Sequence, residues 1–313
     1  MTPILEKLHR FYPNAEIDVC VKKGIEGLFA NHLFVRKVLI WDKSQHKYKH
    51  LLQLANVIRS EHYDIVANCQ RFASSGFLTV YSKAKQTIGF SKNPFSLFFS
   101  KRVKHYISQK NMHEVERNLC LISHLTDNSS AEIKLYPSAE DDEKMLPFKT
   151  QKYLCIAPTS LWFTKQFPKE RWVELISKLD TNLQIYFLGS HADTDVCDEI
   201  IEKSKHGKSI NLAGKLSFLE SVSLMRDAHY NLVNDSAPLH FTSATNAKVI
   251  AFFCSTVVDF GFGPRSSRAV IVQVRENLPC RPCGLHGKKQ CPEKHFKCAM
   301  DIDINTIVDL ILF

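Results

Sequence analysis

Apolar and polar positions alternate along the chain with two periods, and the periods take turns. Ile4, Leu5, Leu8 and Phe11 recur at helical spacing; Pro13 and Asn14 break that pattern, and Ile17, Val19 and Val21 then alternate as in a half-buried strand. KVLIWDK predicts a strand, KYKHLLQLANVIRSEH an amphipathic helix, YDIVANCQ a strand, 72–83 a helix, QTIGF a strand and MHEVERNLCLISHL a helix. PSAEDDEKMLPFKTQ (137–151) combines acids and prolines without periodicity and reads as a linker. The alternation then restarts. KYLCIAP is a strand, PKERWVELISKLD a helix with Pro168 near its first turn, and LQIYFLGS a strand. A helix over 193–203, the short strand SINLAG, the helix SFLESVSLMRDA with a Ser217/Glu220 capping box, the strand HYNLVND, the helix SAPLHFTSAT and the strand KVIAFFCS complete the pattern.

Two successive halves of this kind predict an α/β protein of two doubly wound domains facing a cleft, 1–136 and 152–313, joined by 137–151. A parallel sheet normally opens with a strand, because its first helix needs something to pack on. Here a helix comes first, so the pattern expects one more strand ahead of Thr2.

Composition narrows the function. The chain has 313 residues and a net charge of +9, which favours an anionic partner such as a phosphorylated substrate or an anionic membrane surface. No apolar run reaches the roughly eighteen residues of a membrane-spanning helix, and the start lacks a signal-peptide pattern, so a cytoplasmic location is expected. Six of the ten cysteines are scattered, mostly in strand-like runs, and read as small buried hydrophobes of a reducing compartment.

Two loops at strand ends carry the candidate chemistry. In VNDSAPLHFTSAT a strand runs into the start of a helix of small residues, where unpaired N–H groups and the helix dipole favour an anion. Asp235 and Ser236 are placed to cap that helix, Pro238 suits its first turn, and His240 lies one turn on from Ser236. In APTSLWFTKQFPKERW a second loop brings Thr159, Ser160, Thr164 and Lys165 ahead of a helix, which suits a phosphate clamp with lysine as its point charge. An ordinary helix cap and a solvated turn are the plain alternatives.

NDSAPLHFTSATNAKVIAFF resembles the signature D-[ST]-[AG]-x-x-H-x-A-x-x-x-x-x-P-x-[IV] of the ADP-heptose–lipopolysaccharide heptosyltransferases, glycosyltransferase family nine. APTSLWFTKQFP resembles that family's phosphate loop, T-[ST]…K-x-[WF]-P; Lys248 stands where the family usually has proline. The resemblance implies the GT-B architecture of two Rossmann-like domains, the first for the acceptor and the second for a nucleotide-sugar donor. It further implies that Thr159, Ser160 and Lys165 hold the donor diphosphate, with Lys165 stabilising the leaving group. Asp235, Ser236, Ala237 and His240 would line the same seat, and Asp193, in the Gly189–Asp195 loop, would approach the ribose. The implied reaction is inverting and needs no catalytic cofactor. It would move a heptose-like sugar onto a lipopolysaccharide-core-type glycolipid.

Family members usually begin with a strand and turn of the form ILIIRLSSLGDVLLTTP, and MTPILEKLHRFYP joins that pattern at its final TP. The turn's aspartate is the family's general base, and neither Asp18 nor Asp64, which belong to other strands, inherits that role. The expectation is therefore that Met1 lies inside a longer reading frame; the alternative is an inactive relative that binds nucleotide-sugar or glycolipid without turnover.

SKNPFSLFFSKRVKHYISQK (91–110) sets Phe95, Leu97, Phe98 and Phe99 among Lys92, Lys101, Arg102 and Lys104, as suits peripheral contact with an anionic membrane; completion of the first domain's core is the other reading. CRPCGLHGKKQCPEKHFKC (280–298) holds Cys280, Cys283, Cys291 and Cys298 at spacings that suit a structural zinc knuckle, with His286 and His295 as alternative ligands; reduced thiols and disulfides are the competing readings. A zinc-knuckle nucleic-acid binder would leave both strand-end loops unexplained, so no nucleic-acid partner is expected.

Overall fold

A computed structural model describes residues 1–44, 46–106 and 112–312. The chain divides into two compact units, Met1–Tyr136 and Pro137–Phe313.

The first unit opens with helix α1 (Thr2–Phe11). Ile4 and Leu5 are buried as the spacing predicts, but Phe11 is exposed, and the residue that takes the inner face with them is Lys7. Its ammonium is satisfied by the Asp127 carboxylate (2.6 Å) and by the carbonyls of Asp127 (2.9 Å) and Ser129 (2.6 Å). A buried lysine needs such full pairing. Strands β1 (Ile17–Lys22) and β2 (Val35–Trp41) form one parallel pair. After helix α2 (Lys47–Ser60), strand β3 (Ile65–Asn68), helix α3 (Ala73–Tyr81), strand β4 (Gln86–Phe90) and strand β5 (Lys101–Val103) give a separate three-stranded parallel sheet in the order β3-β4-β5. The unit therefore holds two sheets where the pattern predicted one. Side chains link them: Asp18 of β1 accepts from Arg36 of β2 and from the Tyr63 hydroxyl just ahead of β3. Burial alone would raise the Asp18 carboxyl; these two donors outweigh it and hold it below the usual range. The helix predicted from MHEVERNLCLISHL shortens to α4 (Glu114–Leu119), and Leu121 and Ile122 continue as turns that are fully buried.

In the second unit, 137–151 is ordered rather than a bare linker. Ser138 and Asp141 make a capping box that starts helix α5 (Ala139–Met145), and this helix packs on α8 (Phe218–Asp227). The main sheet is six-stranded and parallel, in the order β11-β10-β9-β6-β7-β8. Its strands are β6 (Tyr153–Ala157), β7 (Gln184–Phe187), β8 (Ser209–Asn211), β9 (Tyr230–Asn234), β10 (Val249–Phe252) and β11 (Ala269–Val272). Helices α6 (Lys169–Ser177), α7 (Thr194–Ser204), α9 (Ala237–Thr245), α10 (Lys297–Met300) and α11 (Ile304–Leu312) complete the unit. Leu154, Ile156, Phe167, Trp172, Phe187 and Phe252 are all but inaccessible and form one continuous core with Ile304, Ile307 and Ile311 of α11. Strands buried on both faces read as unbroken apolar runs, which is why this half was legible. Of the scattered cysteines, Cys155, Cys197 and Cys254 are buried as expected, whereas Cys69 and Cys120 are half-buried and Cys20 is exposed.

Candidate functional site

The order of the sheet puts β9 between β6 and β10, so the loops that leave the carboxyl ends of β6 and β9 are neighbours. After β6 the chain crosses Pro158–Phe167 before α6 begins; after β9 it passes through Asp235 and Ser236 into α9. These are the two loops singled out by the sequence.

Asn234, the last residue of β9, ties them together. Its side chain is buried, accepts from the Phe167 N–H (2.8 Å) and donates to the Pro158 carbonyl (2.8 Å). Gln166 closes the loop on itself by donating to the Ser160 carbonyl (2.6 Å). Within this frame Lys165 Nζ sits 2.7 Å from Asp235 Oδ2, and the same oxygen accepts from the Thr256 hydroxyl (2.7 Å). Asp235 is buried, while the Lys165 side chain retains 15% exposure, so the cation is the more accessible end of the pair. Lysine has three donors, and one carboxylate leaves the others for an anion.

Ser236 occupies the N-cap position of α9 in extended conformation, but its hydroxyl does not cap; it lies 3.4 Å from the Asn234 carbonyl. Asp235 does not cap either, because its carboxylate is committed to Lys165 and Thr256. Among the described residues nothing accepts from the amides of Ser236 and Ala237, so the first turn of α9 keeps free N–H groups beside the lysine. His240 lies half-buried on the same helix, and Thr159 and Ser160 are half-buried on the facing loop. The structure thus brings Thr159, Ser160, Lys165, Asp235, Ser236, Ala237 and His240 to the β6 and β9 strand ends. Asp193 belongs to the loop after β7. Its Oδ2 accepts from the Ser190 N–H and hydroxyl, each at 2.7 Å, which commits that oxygen to capping the turn 191–193 and leaves Oδ1 without a hydrogen bond among the described residues.

Asn234 and Thr256 were not among the residues read from sequence. NLVND carried the strand but nothing that marked its asparagine as a cross-loop tie.

Among the described residues the cysteine segment does not form the ligand cluster that a zinc knuckle would need. Its four thiols are free, and among the described residues no three His, Cys, Asp or Glu side chains converge as a metal site. Core packing explains the arrangement. Cys298 is buried on α10, Cys280 and Cys291 pack against the same core, and the Cys283 thiol turns back to the Cys280 carbonyl (3.3 Å). Burial pushes the Cys298 thiol up to about 12, which keeps it protonated and apolar.

In the first unit, 91–106 places some of its apolar side chains in the core and leaves others at the surface; 107–110 lie outside the described residues. Phe99 is buried with its ring over Gly89, where a Cβ would come within 2.4 Å of it, so this phenylalanine completes the core. Leu97 and Phe98 are 77% and 69% exposed. Lys92, Lys101, Arg102 and Lys104 around them are exposed and form no ion pair among the described residues. No helix of the described residues is long and apolar enough to cross a membrane.

Two successive parallel α/β units of this kind are the GT-B type of glycosyltransferase fold, and comparison with known proteins agrees. The sequence pattern of glycosyltransferase family 9 (heptosyltransferase) matches residues 51–297. A lipooligosaccharide heptosyltransferase 2 from Campylobacter jejuni is 23% identical over 312 residues, covering 98% of this chain and 92% of the relative. A family 9 glycosyltransferase from Veillonella parvula superimposes with a TM-score of 0.82 at 20% identity over 99% of this chain and 92% of its own. An Escherichia coli heptosyltransferase solved with ADP gives 0.73 at 18% identity over 99% and 93%. The chain belongs to glycosyltransferase family 9, the heptosyltransferases.

Proposed function

We propose that this chain binds a nucleotide diphosphate heptose at the β6 and β9 strand ends, as the donor for heptose transfer in lipopolysaccharide-core assembly. The observation that carries this reading is the Lys165–Asp235 pair, which joins the Thr159–Gln166 loop to the start of α9. The free amides of Ser236 and Ala237 and the Lys165 ammonium supply fixed donors for a diphosphate, and Asp235 holds the lysine in place. Thr159, Ser160 and His240 line the seat, and Asp193 Oδ1 is the acceptor offered to the ribose. In transfer, the acceptor hydroxyl oxygen forms the new bond to the anomeric carbon as the bond to the diphosphate breaks, with inversion. The leaving charge develops where Lys165 and the α9 amides already point. The hydroxyl proton passes to solvent water, and no residue of this chain is assigned as its base.

The alternative is a relative that binds the donor without turnover. It is supported by the state of the two aspartates nearest in kind to a base. Asp18 is held by Arg36 and Tyr63, and Asp64 pairs with Lys85 at the surface (2.7 Å). Calorimetric titration with ADP, UDP and GDP, followed by a transfer assay with ADP-heptose and heptose-deficient lipopolysaccharide, separates the two. Binding with turnover supports transfer, binding alone supports the relative, and no binding removes both.

The same reading gives the exposed Leu97–Phe98 turn and its cations a partner, the anionic surface in which a glycolipid acceptor is anchored. Replacing both residues with serine is expected to lower partitioning onto phosphatidylglycerol vesicles by about tenfold or more, given the area withdrawn from the bilayer boundary. Sedimentation that is equal for the variant and the parent, or absent for the parent, contradicts it.

A further inference from the structure

The cysteine-rich segment supplies no residue of the seat, yet several of its contacts run to the loop that carries Lys165. Thr164 and Lys288 form a reciprocal latch: the Thr164 N–H donates to the Lys288 carbonyl (3.1 Å), and the Lys288 N–H donates to the Thr164 hydroxyl oxygen (2.7 Å). Phe296 stacks on Phe163 with ring centroids 5.2 Å apart. Gly287 lies directly on the lysine. A Cβ there would come within 3.0 Å of Lys165 Cγ and 3.1 Å of Thr164 Oγ1, and its φ of +76° is one that favours glycine.

A second arm reaches the same lysine from behind. The Arg281 guanidinium donates to the carbonyls of Phe253 (3.1 Å), Cys254 (2.7 Å) and Thr256 (2.9 Å) and to Gln273 Oε1 (2.7 Å). The three carbonyls belong to the loop that follows β10, and backbone acceptors need a donor once buried. Fixing that loop fixes Thr256, whose hydroxyl donates to Asp235, which in turn holds Lys165. The Cys283 N–H adds a bond to the Ser255 carbonyl (3.0 Å), and the Ser255 N–H donates to the Thr164 carbonyl (3.2 Å), so the two arms close on each other.

We propose that segment 278–298 is a brace that sets the Lys165 ammonium, with Arg281, Thr256 and Gly287 as positioning residues. Gly287 acts by direct packing on the lysine stem. Arg281 acts through Thr256 and Asp235. The lysine would otherwise be free to follow its flexible stem, and an ammonium displaced by about an ångström loses much of its worth to a bound diphosphate. The Thr256 hydroxyl also divides the Asp235 charge between two donors. Without it, Asp235 Oδ2 keeps only the lysine, and competes more strongly with an incoming anion.

This inference rests on the donor-seat reading, and the experiment separates the two. ADP dissociation constants are measured by calorimetry for the parent chain and for Thr256→Val, Thr256→Ser, Gly287→Ala and Arg281→Lys, with melting temperatures in parallel. Valine keeps the shape and removes the hydroxyl; serine keeps the hydroxyl and removes the methyl. The brace predicts ADP binding about tenfold weaker in Thr256→Val and Gly287→Ala, near-parental binding in Thr256→Ser, and weakening in Arg281→Lys. A purely packing role predicts the serine variant to be hit as hard as the valine variant. ADP binding by the parent that is unchanged in Thr256→Val and Gly287→Ala overturns the brace and leaves the seat standing. Failure of the parent to bind ADP overturns the seat itself.

Discussion

Replacing Lys165 with methionine is expected to weaken ADP binding by roughly 10- to 100-fold, the worth of a charge-assisted hydrogen bond to a phosphate. Methionine preserves the stem that packs beside Gly287, so the change isolates the ammonium. The variant also leaves the buried Asp235 with Thr256 as its remaining side-chain donor among the described residues. Removing one partner of a buried ion pair typically costs about 3–5 kcal/mol; the partial exposure of Lys165 places this case at or below the lower end. Both effects are read from one preparation, by calorimetry with ADP and by urea unfolding. An unchanged ADP dissociation constant would remove Lys165 from the seat. Arginine at the same position is expected to restore part of the affinity but not all of it, because a planar fork replaces a compact charge.

The second large effect is expected at Asn234, a residue with no proposed contact to the donor. Asn234→Ala strands the Phe167 N–H and the Pro158 carbonyl, which the amide now satisfies at 2.8 Å each. Each buried group left without a partner costs about 1–3 kcal/mol, so a loss of roughly 2–4 kcal/mol is predicted in urea unfolding. The loop from Pro158 to Phe167 loses its tie to β9 at the same time, and ADP affinity should fall with it. A loss under about 0.5 kcal/mol would show that water replaces the amide and that the loop is held by other means.

The sequence made the second unit largely readable because its strands are buried on both faces. KYLCIAP resolves to Tyr153–Ala157, LQIYFLGS to Gln184–Phe187 and HYNLVND to Tyr230–Asn234, each inside the apolar run that predicted it. The 137–151 stretch shows the limit of a periodicity argument. It carries a helix, Ala139–Met145, that no apolar stripe announced; the signal that marks it is the Ser138/Asp141 box, a pairing of residues three apart. In the first unit, the apolar pattern placed most elements but not their pairing, since nothing in IDVCVK or YDIVANCQ states that two sheets are linked through Asp18 and Tyr63.

The candidate site was legible where one loop supplies it and illegible where distant segments meet. Lys165 and the Asp235–His240 stretch stand out in linear sequence. That Thr256 and Arg281 converge behind Asp235 depends on β10 lying beside β9 and on a segment nearly fifty residues further on folding back over the same edge. The four cysteines were a stronger linear signal than Arg281 or Gly287, yet in the structure Cys280, Cys291 and Cys298 pack with the core, while Gly287 lies against the Lys165 stem and Arg281 ties down the loop that carries Thr256. Spacing alone states which thiols could meet; among the described residues they do not converge as a three-ligand group, and Cys298 is buried in the core.

Titration of the parent chain with ADP, with the Lys165→Met variant in parallel, tests the central claim most directly. The account predicts saturable one-to-one binding by the parent and a dissociation constant at least about tenfold weaker in the variant. The absence of saturable binding of any nucleoside diphosphate by the folded parent, or equal binding by both proteins, contradicts it.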